Sequence, residues 1–261
     1  MNEIENWYDN QYEEWERLDR HKMEFEITKR YLREYIQAAP QKILDIGGGP
    51  GRYSLFLTER GHEVTLLDLS AHNIEVAKEK SAETGIKLKD YIKGDALKLP
   101  EFESLFDTVL LMGPLYHLTE EKDRIKAVDE AMSKLKPGGI LFAAFISSYA
   151  PILDEIAYCE QGMQSTPEDL LHYLDDGRNK DGAGFTTAYF TTVEEARDMM
   201  RNAGLTELAF AGVENVFSTK ERELMKKPED FDKWMEIVYQ LGRDPKLYGM
   251  SEHYLYIGKK E

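Results

Sequence analysis

Residues 43–54 decide the fold, and they read Ile-Leu-Asp-Ile-Gly-Gly-Gly-Pro-Gly-Arg-Tyr-Ser. The apolar start is typical of a buried strand, the glycines indicate a turn, and the residues after the last glycine indicate a helix. Gly47, Gly49 and Gly51 can adopt positive φ and let the backbone approach a ligand closely. Free N–H groups at the start of the following helix point into the same crevice. The stretch therefore predicts a strand–turn–helix unit that binds a nucleotide-like cofactor.

Two residues of this stretch narrow the choice of cofactor. In the dinucleotide fingerprint Gly-x-Gly-x-x-Gly/Ala, the third position falls on Arg52, whose long side chain opposes close helix–strand packing and the approach of a pyrophosphate. Asp45 precedes the turn, where its carboxylate would repel a pyrophosphate but attract a cation or an amino group. S-adenosylmethionine carries both groups and is favoured over NAD or FAD. Taken alone, the stretch is also compatible with a glycine turn that binds no cofactor.

The order acidic residue, any residue, Gly-x-Gly resembles the first motif of the class I S-adenosylmethionine-dependent methyltransferases. Asp45, Gly47 and Gly49 match that motif, and the family's later motifs follow in order as far as the Pro-Gly-Gly turn at 137–139. The resemblance is good over residues 41–146 and loose over 190–258. It implies an α/β fold: a doubly wound, Rossmann-like, seven-stranded sheet, mostly parallel with an antiparallel last strand, with helices on both faces and a helical lid.

The resemblance also implies a set of cofactor contacts. Asp68 ends an apolar strand and matches the carboxylate that binds the ribose hydroxyls, for which two acceptor oxygens are suited. Asp95 matches the residue that contacts the adenine amino group. Asp68 as a helix cap, a role that Ser70 also satisfies, and Asp95 as an exposed turn residue are the alternatives. The predicted cofactor site comprises Asp45, Gly47, Gly48, Gly49, Asp68, Leu69, Asp95, Ala96, Met112 and Tyr12.

The chemistry of the reaction is expected just beyond the fourth strand. Residues 106–112 are almost continuously apolar, as in a parallel strand covered on both faces. His117 follows as the candidate base, with Tyr116 beside it, and the alternative is that His117 caps the next loop or helix. Tyr12, His172 and His253 are weaker candidates. Methyl transfer from a sulfonium is an in-line displacement, so positioning of the reactants supplies much of the barrier reduction.

The order of the other patterns predicts consecutive βα units. Strands are expected near residues 43, 64, 89, 107 and 140, alternating with helices at 52–60, 71–83 and 120–135, after a helical stretch at 5–37. A further helix begins with a capping box formed by Thr192 and Glu195 and stops at Gly204. Strand six follows at about 205–215, and residues 253–257 resemble the family's antiparallel seventh strand.

Four regions are predicted along the chain. They are an N-terminal helical cap at 1–40, an S-adenosylmethionine-binding α/β core at 41–147, a lid insertion at 148–190, and the C-terminal part of the core at 191–261 with a helical insertion at about 219–245. Aromatic residues at 8, 12 and 15 share a helical face in the cap. That face either closes over the cofactor or packs on the sheet.

Composition and charge restrict the class of partner. The chain of 261 residues carries 33 basic and 49 acidic residues, a net charge of −16, which opposes binding to a nucleic-acid backbone. No apolar stretch reaches the roughly 18 residues that span a bilayer, and the start lacks a signal-peptide pattern, so a cytoplasmic enzyme is expected. The single Cys159 allows no internal disulfide. No metal site is predicted, because the six histidines lack ligand spacing and Cys-x-x-Cys is absent.

The resemblance and the composition together predict an enzyme. It would be an S-adenosylmethionine-dependent methyltransferase that moves the sulfonium methyl to an O, N or S atom of a small molecule and releases S-adenosylhomocysteine. Residues 112–116 read Met-Gly-Pro-Leu-Tyr rather than Asn/Asp-Pro-Pro-Tyr/Phe, which opposes amino-methylation of DNA bases. A protein or nucleic-acid methyltransferase and a non-catalytic S-adenosylmethionine-binding module are the alternatives. Assembly into a homo-oligomer is left open.

Overall fold

A computed structural model describes residues 3–36, 40–179 and 186–261, so small parts of the predicted cap and lid lie outside the described residues. The strands are β1 (Lys42–Ile46), β2 (Glu63–Asp68), β3 (Asp90–Lys93), β4 (Phe106–Leu111), β5 (Leu135–Ser147), β6 (Arg178–Asn179), β7 (Ala188–Thr191), β8 (Leu205–Gly212) and β9 (His253–Lys260). The helices are α1 (Glu3–Asn10), α2 (Glu14–Arg20), α3 (Lys22–Tyr35), α4 (Arg52–Glu59), α5 (Ala71–Thr84), α6 (Glu121–Lys134), α7 (Ala150–Ala157), α8 (Pro167–Asp175), α9 (Val193–Asn202), α10 (Glu221–Leu224) and α11 (Phe231–Leu241).

The sheet has the predicted topology with one addition. Strands β3, β2, β1, β4 and β5 are parallel neighbours in that order, and β9 lies antiparallel between β5 and β8. This confirms the mostly parallel sheet with an antiparallel last strand.

Two short strands, β6 and β7, were not predicted, because residues 148–190 were interpreted as a lid. They form because β5 extends past the end of β4, whose last residue Leu111 pairs with Ala143: Ile146 and Ser147, at the end of β5, pair with Phe190 and Thr191 of β7. Strand β6 then pairs with β7.

Helices cover both faces of the sheet, as a doubly wound fold requires. Successive strand residues point to opposite faces, so Ile43 packs with one group of buried residues and Leu44 with another. The first group includes residues of α3, α4, α5 and α11, and the second includes residues of α6 and α9. Within the described ranges, no helix is both long and apolar enough to cross a membrane.

The helix caps predicted from the sequence are present in the structure. Thr192 and Glu195 form the predicted capping box of α9, and the helix ends two residues before Gly204, whose φ is 82°. Ser70 caps α5 by accepting a hydrogen bond from the Asn73 amide.

The N-terminal region differs from its prediction. A continuous helical stretch at 5–37 was expected, but the chain forms three helices, with breaks between α1 and α2 and at His21. The Arg17 guanidinium spans the second break and donates two hydrogen bonds to the Glu24 carboxylate, at 2.6 Å and 2.9 Å. This tertiary ion pair favours a bend that helical periodicity does not reveal. The division into cap, core and lid stays a prediction.

Candidate active site

The glycine turn between β1 and α4 forms the floor of the site. Gly47 and Gly49 have φ of 67° and 56°, a backbone conformation that L-residues with a side chain rarely adopt. Space is restricted as well: a Cβ on Gly47 would lie 2.6 Å from the Pro114 ring, and one on Gly48 would lie 2.5 Å from the Asp45 carboxylate. The turn therefore needs glycine for its conformation and for close packing under an approaching ligand.

A cavity of about 200 Å³ opens above this turn, at the carboxyl ends of β1, β2 and β4. Ligands of open α/β sheets bind at this edge. The predicted catalytic pair and all the predicted cofactor residues except Tyr12 line the cavity, which brings together Asp45, Gly47, Gly48, Gly49, Asp68, Leu69, Asp95, Ala96, Met112, Tyr116 and His117.

Asp68, at the end of β2, fastens the glycine turn. Its carboxylate accepts hydrogen bonds from the Gly49 amide at 2.8 Å, from the Ser70 amide at 2.9 Å, and from the Asn73 side chain at 3.3 Å. Burial raises the pKa of Asp68 to about 6 despite these bonds. The sequence predicts that Asp68 has spare capacity because Ser70 also caps α5, and the structure shows the carboxylate accepting three hydrogen bonds. Since a carboxylate has about four acceptor positions, it can still bind a hydroxyl group.

Asp45 lies beneath the turn and is 1% exposed. Its carboxylate accepts a hydrogen bond from the Ser54 hydroxyl at 2.7 Å. Burial raises the pKa of Asp45 to about 7, and the nearby charge of Asp68 adds to this effect. A bound ammonium or sulfonium group nearby would lower that pKa, because an opposite charge stabilises the ionised form. The carboxylate is thus suited to a cationic ligand.

Asp95 occupies the exposed rim of the cavity. Its Oδ1 accepts a hydrogen bond from the Leu97 amide at 2.9 Å, so it stabilises its own turn. The turn role and a position facing the cavity, which the sequence presented as alternatives, occur together.

Tyr12 was predicted to contact the cofactor, but the structure places it outside the cavity lining. It follows the end of α1, where its ring stacks on Trp7 with centroids 5.9 Å apart. Tyr8, one helical turn earlier, enters the cavity instead. The aromatic pattern indicated both tyrosines, and the end of α1 at Asn10 decides between them.

His117 follows a short 3₁₀ helix after β4 and lies inside the cavity. Its Nδ1 is 3.5 Å from the Thr187 carbonyl oxygen, and its Nε2 is 2.9 Å from the Tyr8 hydroxyl. Because a carbonyl only accepts, we place the proton on Nδ1, which leaves Nε2 to accept from Tyr8. Burial lowers the pKa of His117 to about 4. The ring is therefore a neutral acceptor.

Tyr116 packs beside His117, with ring centroids 4.7 Å apart. Its hydroxyl donates to the Met112 carbonyl at 3.4 Å. Burial raises the pKa of Tyr116 well above its usual value, so this phenol stays protonated.

Sequence reasoning missed Arg17, which lines the cavity from α2. Its guanidinium donates to Glu14 at 2.8 Å and, through two nitrogens, to Glu24. Burial alone would raise the pKa of Glu24, but Arg17 and His253 hold it at about 2. No sequence motif could reveal this chain of charges, because its members are scattered along the polypeptide.

The weaker base candidates do not line the cavity. His253 Nδ1 is 2.6 Å from Glu214. Burial alone would lower the pKa of His253, but the charges of Glu24 and Glu214 raise it to about 9. A protonated imidazole is no base. His172 is exposed on α8 and does not line the cavity.

The same charged residues form a group that satisfies the distance criteria for a metal ion. Among the described parts of the chain, Glu24, Glu214 and His253 are close enough to share one. Both oxygens of Glu24 already bind Arg17, and His253 is protonated. A metal ligand must present free lone pairs, so the ion-pair interpretation fits better.

The chain is similar to several known methyltransferases. Residues 43–139 match the model of a methyltransferase domain. Ubiquinone biosynthesis O-methyltransferase of Saccharophagus degradans is 29% identical over 77% of this chain and 78% of its own length. The enzyme of the same name from Xanthomonas euvesicatoria pv. vesicatoria is 28% identical over 69% and 68%.

Solved structures agree in fold. The N-methyltransferase NodS of Bradyrhizobium japonicum, in complex with S-adenosylhomocysteine, superposes with a TM-score of 0.61 at 15% identity and covers 99% of both chains. A SAM-dependent methyltransferase from Methanosarcina mazei gives 0.59 at 19% identity, covering 88% of this chain and 96% of that one.

A doubly wound sheet with a glycine turn over a carboxylate, and a second carboxylate at the end of β2, defines a nucleoside-binding α/β enzyme. Residues 43–139 match a methyltransferase domain, and over most of its length the chain is similar to S-adenosylmethionine-dependent methyltransferases. The residues present fit S-adenosylmethionine, because the glycine turn lines the cavity and the buried carboxylates beside it suit a hydroxyl-bearing, cationic ligand. When bound, this cofactor supplies an electrophilic methyl group on its sulfonium.

Proposed function

We propose that this enzyme methylates a hydroxyl oxygen of a small molecule, with His117 as the proton acceptor. The observation that carries the proposal is the neutral imidazole in the cavity, whose Nε2 already accepts a hydrogen bond from a phenol hydroxyl at 2.9 Å. Relatives named as O-methyltransferases support oxygen over nitrogen or sulfur.

His117 has the features that a late proton transfer requires. A hydroxyl is a weak nucleophile, and it becomes strongly acidic only as its oxygen acquires the methyl group. An imidazole whose pKa is about 4 can accept the proton at that stage, and it remains unprotonated at neutral pH. The Thr187 carbonyl keeps Nδ1 protonated and so keeps Nε2 available for the acceptor.

The enclosure of the cavity supports a small acceptor. Asp9 of α1 accepts hydrogen bonds from the Ser70 hydroxyl at 2.5 Å and the His72 amide at 3.2 Å, so α1 covers the ends of β2 and α5. A macromolecular substrate would need an open groove. The strongly acidic composition also opposes a nucleic acid, and we place the reaction in the cytoplasm.

We assign the cofactor contacts by the positions of the predicted residues. Asp68 would bind the ribose hydroxyls, Asp95 the adenine amino group, and the glycine turn with Asp45 the cationic end of the cofactor. The supporting observation is that these groups follow one another around a single cavity.

The test combines binding and turnover. Calorimetry with S-adenosylmethionine and S-adenosylhomocysteine should show binding, and a screen of matched alcohols, phenols, anilines and thiols should yield methylated hydroxyls. His117→Gln should lower kcat by about 10²- to 10⁴-fold without changing the affinity for S-adenosylhomocysteine. His172→Gln, exposed on α8, is the matched control.

Three results would contradict the proposal. Full kcat in His117→Gln would show that His117 is not the proton acceptor. Methylation of anilines or thiols alone would show that the acceptor atom is nitrogen or sulfur. Cofactor binding with no turnover on any acceptor would indicate a non-catalytic module.

A further inference from the structure

A phenol ring already occupies the reaction centre. Tyr8 lines the cavity and packs edge-on against His117, with ring centroids 5.5 Å apart. Its hydroxyl donates a hydrogen bond to His117 Nε2. Burial raises the pKa of Tyr8 well above its usual value, and the charges of Glu14 and Asp68 act in the same direction. The cavity therefore holds a neutral phenol as a hydrogen-bond donor to the candidate base.

The helix that carries Tyr8 is held mainly by polar contacts, which include the hydrogen bonds from Ser70 and His72 to Asp9. α1 has eight residues, all described, and each of them keeps some exposure to solvent. An isolated helix of this length is marginal in water, and the ion pair of Glu5 with Lys93 joins a lysine side chain that is 53% exposed, so it contributes little. In addition, the Trp7 indole N–H is buried without a hydrogen-bond partner in the described part of the chain. Such an unsatisfied donor opposes the docked position.

We infer that Tyr8 occupies the place of the methyl acceptor, and that the acceptor is a neutral phenol which displaces α1. The inference rests on the proposed function and adds the substrate class. The acceptor ring would lie where the Tyr8 ring lies, and its hydroxyl would donate to His117 Nε2. A phenolate is disfavoured there for the same reasons that raise the pKa of Tyr8.

The inference is tested by removing the Tyr8 ring and supplying it from solution. Tyr8→Ala should bind 4-methylphenol, titrated in the presence of S-adenosylhomocysteine, about 10-fold more tightly than the wild type, which must first expel its own tyrosine. The variant should also prefer 4-methylphenol to toluene by roughly 3- to 10-fold, since toluene lacks the hydrogen bond. The double variant Tyr8→Ala with His117→Ala should lose that preference.

Tyr12→Ala is the matched control, because Tyr12 belongs to the same aromatic group but does not line the cavity. It should bind 4-methylphenol as the wild type does. Equal binding of toluene and 4-methylphenol by Tyr8→Ala, or the same gain in Tyr12→Ala, would overturn the inference. An unchanged far-ultraviolet circular dichroism spectrum of each variant shows that the core is folded.

The inference and the proposed function can fail separately. If 4-methylphenol binds as expected but hydroxyls are never methylated, the phenol site is supported and the proposed reaction is wrong. If aliphatic alcohols are methylated and 4-methylphenol neither binds Tyr8→Ala nor inhibits, the proposed reaction stands and the phenol inference falls.

Discussion

At the scale of single residues, one carboxylate holds the glycine turn in place and is also the group proposed to bind the ligand. Asp68 shows this clearly, because the hydrogen bonds that hold the glycine turn against β2 use the carboxylate proposed to bind the ribose. The sequence indicated this carboxylate from the end of an apolar strand. It could not indicate the bond to Gly49, which joins residues 19 positions apart.

Asp68→Asn should weaken cofactor binding. Loss of charge-assisted hydrogen bonds worth about 1.5–3 kcal/mol corresponds to roughly a 10- to 100-fold lower affinity for S-adenosylhomocysteine, measured by calorimetry. Asp90→Asn, at the exposed start of β3, is the control and should bind normally. Unchanged affinity in Asp68→Asn would remove this residue from the site.

At the scale of elements, the strongest local signals were the most reliable. The capping box of α9 follows from four consecutive residues, and the structure contains it with the Thr192 hydroxyl accepting from the Glu195 amide at 3.2 Å. By contrast, the break between α2 and α3 and the pairing of β7 with β5 depend on contacts between residues of different elements. Patterns within one segment carry no information about them.

Two capping boxes in this chain offer a matched pair. Thr192→Ala should lower the free energy of unfolding by about 1 kcal/mol, because α9 packs Ala196 and Met200 into the core. Thr166→Ala removes the same motif from α8, which buries only Leu170. We expect this second change to speed hydrogen exchange in α8 with little effect on global unfolding. Equal destabilisation in urea denaturation would show that α8 unfolds together with the core.

At the scale of the whole molecule, a chain of charges connects the N-terminal helices to β9. Arg17 and Glu24 come from α2 and α3, Glu214 follows β8, and His253 begins β9. This network brings the N-terminal region against the C-terminal half of the core beside the cavity. Its stability is coupled to pH, because the pKa of His253 is raised to about 9.

The raised pKa of His253 predicts that the free energy of unfolding decreases as pH rises. A histidine whose pKa is raised on folding contributes stability that is complete below its unfolded pKa of about 6.5 and is lost as pH rises through 9. The raised pKa of Glu252, about 8, acts in the same direction. The free energy of unfolding should fall by up to about 3 kcal/mol between pH 6.5 and pH 9. His253→Gln should flatten this dependence, whereas the exposed His172→Gln should not; an unchanged slope in His253→Gln would refute the assignment.

The sequence by itself determined the doubly wound fold, the resemblance to methyltransferases and eleven of the residues that line the cavity. The physical reason is that a strand, a glycine turn and a carboxylate at a strand end are local features, and parallel strands bring their carboxyl ends to one edge. Only the tertiary structure decided that Tyr8 rather than Tyr12 enters the cavity and that Arg17 belongs to it. It also decided which nitrogen of His117 accepts, since that depends on Tyr8 and Thr187, 109 and 70 residues away in the chain. Such choices depend on contacts between distant segments, which no local pattern encodes.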